Sequence, residues 1–382
     1  MALPPGRVAF YAGRVPRQFR QVDVFTDTPY FGNPVAVVLG ADGLSGEQMQ
    51  LFARWTNLSE TSFVLAPRAS GADYRVRIFT PARELPFAGH PTLGTCHAWL
   101  EAGGRPADPG AIVQECEAGL ITVRRTDAGL AFAAPPLVRS GPVEESVAEQ
   151  VARTLGIARS DIVDIAWADN GPGWIAVLLG SAEAVLAVPC PATLDLNIGL
   201  VGPYPDGSPE AVEVRAFSPM ITSIEDPVTG SLNASLGQWL LAGGRVAAPY
   251  VASQGTAMGR RGRVHVSRDA DGQVWVGGGT VTCVGGTVEL KARGCIFARQ
   301  PGSDPARGRL PMASRHDDEG QGWRRSTRVR AWSSRLTPAW SGRYSYRSTA
   351  SCSAGTPGSG RRSARTNSFR GAMSGSGATA TG

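Results

Sequence analysis

Apolar residues alternate with charged ones through Tyr74-Arg75-Val76-Arg77-Ile78, the period of a strand with one buried face. The pattern breaks at Thr80-Pro81 and turns through Phe87-Ala88-Gly89. A helix is predicted from His90-Pro91, because proline is tolerated in a first helical turn, and Gly103-Gly104 closes it. The same succession recurs at 212–244. VRIFTP matches VRAFSP, His90-Pro91-Thr92-Leu93-Gly94-Thr95 matches Asp226-Pro227-Val228-Thr229-Gly230-Ser231, and LEAGG matches LLAGG. In this alignment the second copy is four residues longer in the helix. A repeated strand–turn–helix unit predicts two halves of like fold with a site where they meet. Each glycine turn leads into a helix start whose free N–H groups suit a carboxylate or phosphate.

The remaining pattern extends the same picture. Residues 19–40 read as strand, turn (Thr28 to Pro34) and apolar strand. Ser45 with Gln48 makes a capping box for a helix to about Trp55. Ser62-Phe63-Val64-Leu65 resumes a strand, with Glu60 just ahead of it. Residues 111–134 alternate as antiparallel strands turning at Gly119 and Asp127-Ala128-Gly129, and 135–142 read as a linker. Val147, Val151 and Leu155 mark an amphipathic helix over 145–157. Two strands flank a Gly-Pro-Gly turn in 162–180, and three more, with a hairpin at Asp269-Ala270-Asp271-Gly272, occupy 263–290. Beyond Lys291 apolar periodicity stops and Ser, Arg, Gly, Thr and Ala dominate, a composition that cannot offset the entropy of ordering. The expected division is a flexible N-terminal extension (1–18), a first half (19–135, with a return strand near 278–291), a second half (136–277) and a disordered tail (292–382).

Composition narrows the functional classes. No apolar run approaches the ~20 residues of a membrane span. The N-terminal stretch carries Arg7, Arg14, Arg17 and Arg20 without the apolar core of a signal peptide. Six scattered cysteines (Cys96, Cys116, Cys190, Cys283, Cys295, Cys352) with no C-x-x-C pair favour a reducing compartment and disfavour a structural zinc, so a cytoplasmic location is expected. The net charge of +6 misleads: residues 301–382 hold fourteen Arg against four acids, a net +10, which leaves −4 on residues 1–300. The globular part is mildly acidic and gives no reason to expect nucleic acid; Trp323, Trp332 and Trp340 in the basic tail have no spacing that forms a stacking platform.

Three ionisable residues stand at the right places for chemistry: Glu60 at the start of a strand, His90 at the first glycine turn and Asp226 at the second. A carboxylate near an apolar strand and two helix N-termini has a pKa that burial raises and N–H groups lower. Placed between a His and an Asp it could remove a proton from carbon and return it elsewhere. Singly, each has an ordinary structural reading: Glu60 as a loop carboxylate, His90 as a cap or core histidine, Asp226 as an N-cap.

Together, VDVFTDTPYFGNPVAVV, NLSETSFVL, RIFTPARELPFAGHPTLGT and EDPVTGS, in this order, resemble the PhzF family of phenazine-biosynthesis-type isomerases over about residues 19–291. The resemblance implies a diaminopimelate-epimerase-like α+β fold: two pseudo-twofold-related halves, each a curved, mostly antiparallel sheet around a central helix. It implies that Glu60 is the proton shuttle, assisted by His90 and Asp226, and that Ser59, Gly89, Gly230 and Ser231 contact the substrate. It also implies a small carboxylated substrate, no metal or organic cofactor, and a homodimer. Three competitors remain open: an amino-acid epimerase or racemase of the same fold, a non-catalytic small-molecule-binding protein, and nucleic-acid binding through the Arg-rich tail. The first would use two opposed thiols, whereas neither glycine turn holds a cysteine and Leu232, aligned with Cys96, cannot titrate.

Overall fold

Eighteen strands and five α-helices make up the residues that the computed structural model describes, 14–219 and 224–291. The tail at 292–382, residues 1–13 of the predicted extension, and 220–223 lie outside the described residues. The chain begins with β1 (Arg14–Val24), β2 (Asn33–Val38), α1 (Gly46–Thr56) and β3 (Glu60–Leu65). It continues through β4 (Tyr74–Phe79), the two-residue β5 (Glu84–Leu85) and α2 (Gly89–Glu101). A meander follows: β6 (Ala111–Cys116), β7 (Gly119–Thr126) and β8 (Gly129–Ala133). After β9 (Arg139–Pro142) and α3 (Glu145–Leu155), the plan starts again with β10 (Ile162–Asp169), β11 (Trp174–Leu179), α4 (Ala182–Ala187) and β12 (Asn197–Pro203). Then come β13 (Val212–Phe217), β14 (Glu225–Asp226), α5 (Gly230–Ala242), β15 (Tyr250–Gln254), β16 (Gly262–Arg268), β17 (Val274–Gly278) and β18 (Thr280–Lys291).

The two halves share one pairing scheme, in an α+β fold that is mostly antiparallel, as expected. β2–β3 is parallel, β3–β4 and β4–β5 antiparallel, β4–β6 parallel, and β6–β7–β8 antiparallel. β11–β12, β12–β13, β13–β14, β13–β15 and β15–β16–β17 repeat it in the same order and sense. β8 pairs with β17 and joins the halves into one continuous sheet. The strands after each meander are exchanged: β9 pairs with β10 of the second half, and β18 returns to pair with β1 of the first. Residues 135–142, read in the sequence as a linker, thus contain a strand. Arg14–Gln18, read as part of an extension, are the start of β1, paired with Thr287–Lys291.

Each half wraps its sheet around a helix that is buried nearly all round. α2 buries Gly89 to Cys96 without a gap, and α5 buries Leu232 to Gly237. Such helices show no polar stripe because no face meets water. Gly94 lets α2 sit directly on the sheet: a Cβ there would lie 2.3 Å from Val35 Cγ1. One apolar core runs continuously from Val22, Val35 and Leu93 of the first half to Leu232, Leu236 and Val266 of the second. α1, whose capping box forms as expected between Ser45 and Gln48, covers a smaller core around Met49, Phe52 and Phe63. Among the described residues no helix is long and apolar enough to cross a membrane.

The repeat is real, but its register differs from the sequence alignment. Phe79 pairs with Glu84 and Phe217 with Glu225, so Leu85 and Asp226 are equivalent. Both helices have 13 residues and begin at Gly89 and Gly230. His90 therefore corresponds to Ser231, not to Asp226, and Cys96 to Gly237, not to Leu232. The similar H-P-x-x-G and D-P-x-x-G strings misled: the turn between β13 and β14 is longer than that between β4 and β5, and the string match is five residues out of register.

In this register an ion pair is repeated too. Arg77 Nε and Nη2 donate to Glu84 at 2.6 and 2.5 Å, and Arg215 Nε and Nη2 donate to Glu225 at 2.8 Å each. The first pair is part-exposed; the second is buried, and Arg215 Nη1 also donates to the carbonyls of Val185 and Val188. Removing one partner of a buried pair strands the other charge, whereas a solvated pair contributes little. Arg215→Ala should therefore cost about 3–5 kcal/mol and Arg77→Ala about 1 kcal/mol or less in urea unfolding. Equal losses would contradict the difference in burial.

Candidate active site

The N-termini of α2 and α5 abut. A Cβ on Gly230 would lie 3.1 Å from Gly89 Cα and 3.2 Å from the His90 nitrogen; a Cβ on Gly89 would meet the Phe132 ring at 2.8 Å. Glycine on both sides leaves room for this approach without displacing either backbone. It brings the positive ends of two helix dipoles, with their unpaired N–H groups, to one place.

Glu60 is set there by the end of α1. Asn57 caps that helix in the left-handed conformation (φ 55°), which asparagine tolerates better than most residues, and the chain turns straight into β3. Glu60 is the first residue of β3, opposite Val35, and is 9% exposed. His90 lies in the first turn of α2, also buried. Its Nε2 is 3.3 Å from Glu60 Oε2, off the line of a hydrogen bond, and neither atom has another partner. Asp226 arrives from the second half on β14, paired with Ala216. It is not an N-cap; Thr229 occupies that position of α5.

Asn33, the first residue of β2, joins the two halves. Its Nδ2 donates to Asp226 Oδ1 at 3.0 Å and to the Val228 carbonyl at 2.8 Å, and lies 3.4 Å from His90 Nδ1. Thr229 Oγ1 donates to the other Asp226 oxygen at 2.6 Å. The structure thus gathers Glu60, His90, Asp226, Gly89 and Gly230. Ser59 is half-buried in the connection before β3. Ser231 follows Gly230, but its hydroxyl accepts from Trp174 Nε1 at 3.1 Å and its carbonyl from Asn170 Nδ2 at 2.9 Å. Sequence reasoning missed Asn33, Thr229 and Gln254, whose Nε2 donates to Thr229 Oγ1 at 3.0 Å; a polar residue heading the apolar run NPVAVV was the one signal for the first.

Burial sets the proton affinities. It pushes Glu60 up to about 8, with the Asp226 charge adding to the effect. It pushes Asp226 up to about 6, less far because the hydrogen bonds from Thr229 and Asn33 favour the carboxylate. It pushes His90 down to about 3, against the hydrogen bond to the Pro34 carbonyl. At neutral pH the site therefore holds mostly protonated Glu60, ionised Asp226 and neutral His90, two carboxyls driven to different states by their surroundings. Cys96, buried in α2, is pushed up to about 12 by that burial and is no thiolate.

A doubled α+β fold with acid, imidazole and second carboxyl at the junction of its halves is the architecture of an isomerase- or epimerase-like protein. The chain belongs to the PhzC-PhzF family, phenazine biosynthesis-like proteins, whose description matches residues 22–286. It is 37% identical over 288 residues to Antisense-enhancing sequence 1 of Schizosaccharomyces pombe, covering 70% of this chain and 97% of that protein. It is 34% identical over 282 residues to the trans-2,3-dihydro-3-hydroxyanthranilate isomerase of Pseudomonas fluorescens, covering 70% and 98%. Among solved structures, the PhzF-family phenazine biosynthesis protein of Bacillus anthracis superposes with a TM-score of 0.61 at 25% identity, covering 72% of this chain and 99% of that one.

The raised Glu60 has a stability signature. Between its ordinary value of 4.5 and about 8 the folded state holds a proton that the unfolded state has released, so stability falls as pH rises through that window. Glu60→Gln removes this slope. Its stability relative to the parent should improve from pH 5 to pH 8, by up to roughly 1.4 kcal/mol per pH unit. A constant difference across that range in urea titrations would contradict the assignment.

Proposed function

We propose that this chain is an isomerase of the PhzF type that shifts a proton between carbons of a small carboxylated substrate, with Glu60 as its acid and base. The observation that carries the reading is the Glu60–His90 pair: two buried polar atoms 3.3 Å apart, each without another partner, facing each other where the two halves meet. Unpartnered buried polar atoms are costly, and a substrate that supplies the missing hydrogen bonds is bound by relieving that cost. The substrate carboxylate is received by the converging N–H groups of the two helix starts, at Gly89 and Gly230. Ionised Glu60 then takes a proton from an sp³ carbon and returns it to another carbon on the same face, while His90 and Asp226 orient the substrate as its π-system rearranges.

One-sidedness separates this reading from a two-base racemase. The position equivalent to Glu60 in the second half is Asn197, since Val35 faces Glu60 as Trp174 faces Asn197. An amide cannot act as a second base, and Cys96 with its counterpart Gly237 offers no thiol pair. Since a relative carries the name, trans-2,3-dihydro-3-hydroxyanthranilate is the first substrate to assay.

Only about one molecule in ten has Glu60 ionised at pH 7 if it titrates near 8. As a base it should give a kcat/KM that rises with pH through a midpoint near 8. Glu60→Gln should lose about 10²–10⁴ in turnover while still binding substrate. In D₂O, deuterium should enter the product carbon at less than full occupancy, because Glu60 hands back part of what it took. Near-normal turnover by Glu60→Gln on a substrate the parent converts would end the assignment.

A further inference from the structure

Asp226 sits at the end of a chain of hydrogen bonds whose direction is fixed. Gln254, the last residue of β15, is fully buried. Its Oε1 accepts from the Thr229 backbone N–H at 3.0 Å and from Asn233 Nδ2 at 2.8 Å. The amide nitrogen must therefore face the other way, and it donates to the Asp226 carbonyl at 3.1 Å and to Thr229 Oγ1 at 3.0 Å. With its oxygen receiving that hydrogen, the Thr229 hydroxyl sends its own to Asp226 Oδ2 at 2.6 Å. From the opposite half, Asn33 spends both amide hydrogens on Asp226 Oδ1 and the Val228 carbonyl. Turning the Asn33 amide over would set its oxygen against two acceptors, so its orientation is determined as well. Both Asp226 oxygens thus receive donors, whereas Glu60 Oε2 receives none.

The fold does not require this arrangement. By strand register the counterparts of Asn33, Asp226 and Gln254 in the other half are Pro172, Leu85 and Cys116, and Ala88 matches Thr229 as the N-cap of its helix. The same sheet and helix form there with none of the four. The other charged or titratable groups about Asp226 are Glu60 on β3, His90 on α2 and its neighbour Glu225, which is held by Arg215 of β13.

We propose that Thr229 and Asn33 are positioning residues that hold Asp226 as an ionised acceptor, with Gln254 directing the Thr229 hydroxyl, so that Glu60 alone of the two carboxyls carries the exchangeable proton. This rests on the reading of Glu60 as the proton carrier. It implies that the two carboxyls are coupled: a site that let Asp226 take up a proton would remove the negative charge that favours protonation of Glu60.

The test is a carboxyl titration of the full chain, labelled with ¹³C at Asp and Glu side chains and read by NMR without substrate. The Asp226 signal is the one missing in Asp226→Asn, and the Glu60 signal the one missing in Glu60→Gln. In the parent, Asp226 should titrate below Glu60. Thr229→Val keeps the shape and removes the donor; it should raise the Asp226 midpoint by roughly one pH unit and lower that of Glu60. Thr229→Ser should restore both. Unchanged midpoints in Thr229→Val, with or without a lower melting temperature, would reduce the threonine to a structural role and overturn the proposal. So would an Asp226 midpoint above that of Glu60 in the parent, or a serine variant that behaves like valine. Should Thr229→Val not fold, Asn33→Ser is titrated with the same expectation, and an unmoved Asp226 there overturns the proposal equally. Because no turnover is measured, an active Glu60→Gln would sink the isomerase reading while these midpoints still judge the donors.

Discussion

Two glycines facing each other, Gly89 and Gly230, set the distance on which the rest of the molecule depends. A methyl group on either would crowd the facing backbone at 3.1 Å, so the helix starts would have to give by a few tenths of an ångström. The contact also explains how three ionisable groups share a dry junction. Two helix N-termini point into it, and their combined partial positive charge offsets part of the penalty for burying a carboxylate. The glycines are thus a geometric and an electrostatic condition at once.

On this symmetric frame the chemistry is distributed unevenly. The first half provides Glu60, His90 and Asn33; the second provides Asp226, Thr229 and Gln254. Neither set is complete without the other, and the equivalent positions of the opposite halves hold different residues: Asn197, Ser231 and Pro172 in the second, Leu85, Ala88 and Cys116 in the first. The two carboxyls are the same functional group in the same junction, yet one is surrounded by apolar strand and the other by donors. Environment rather than residue type sets their proton affinities apart.

Much of this was legible in the sequence because it rests on local periodicity. The alternation at 74–79, the capping box at Ser45 and Gln48, and the glycine-turned strands of 111–134 and 263–290 each formed where their pattern placed them. The motifs around Glu60, His90 and Asp226 were legible as a family resemblance. What escaped depends on partners far along the chain. β5 and β14 are two residues long and carry no period. Asp226 resembled a helix cap because Pro227 follows it, but its backbone pairs with Ala216 and leaves the cap to Thr229. Asn33 looked like a turn residue, since its partners on β14 and in the turn before α5 are separated from it by nearly two hundred positions.

The exchange of β9 and β18 makes the chain topologically a ring. β18 closes against β1, with Lys291 opposite Arg14, and among the described residues no strand of the first half takes its place. During synthesis the N-terminal half therefore emerges with β1 unpaired on one side, and that edge stays open until β18, the last of the described strands, leaves the ribosome. Long-range closure of this kind slows folding and exposes an adhesive edge in the meantime. The same geometry brings the two ends of the described fold side by side. A polypeptide joined there and reopened between β8 and β9 would trace the identical sheet, with the two halves in reversed order.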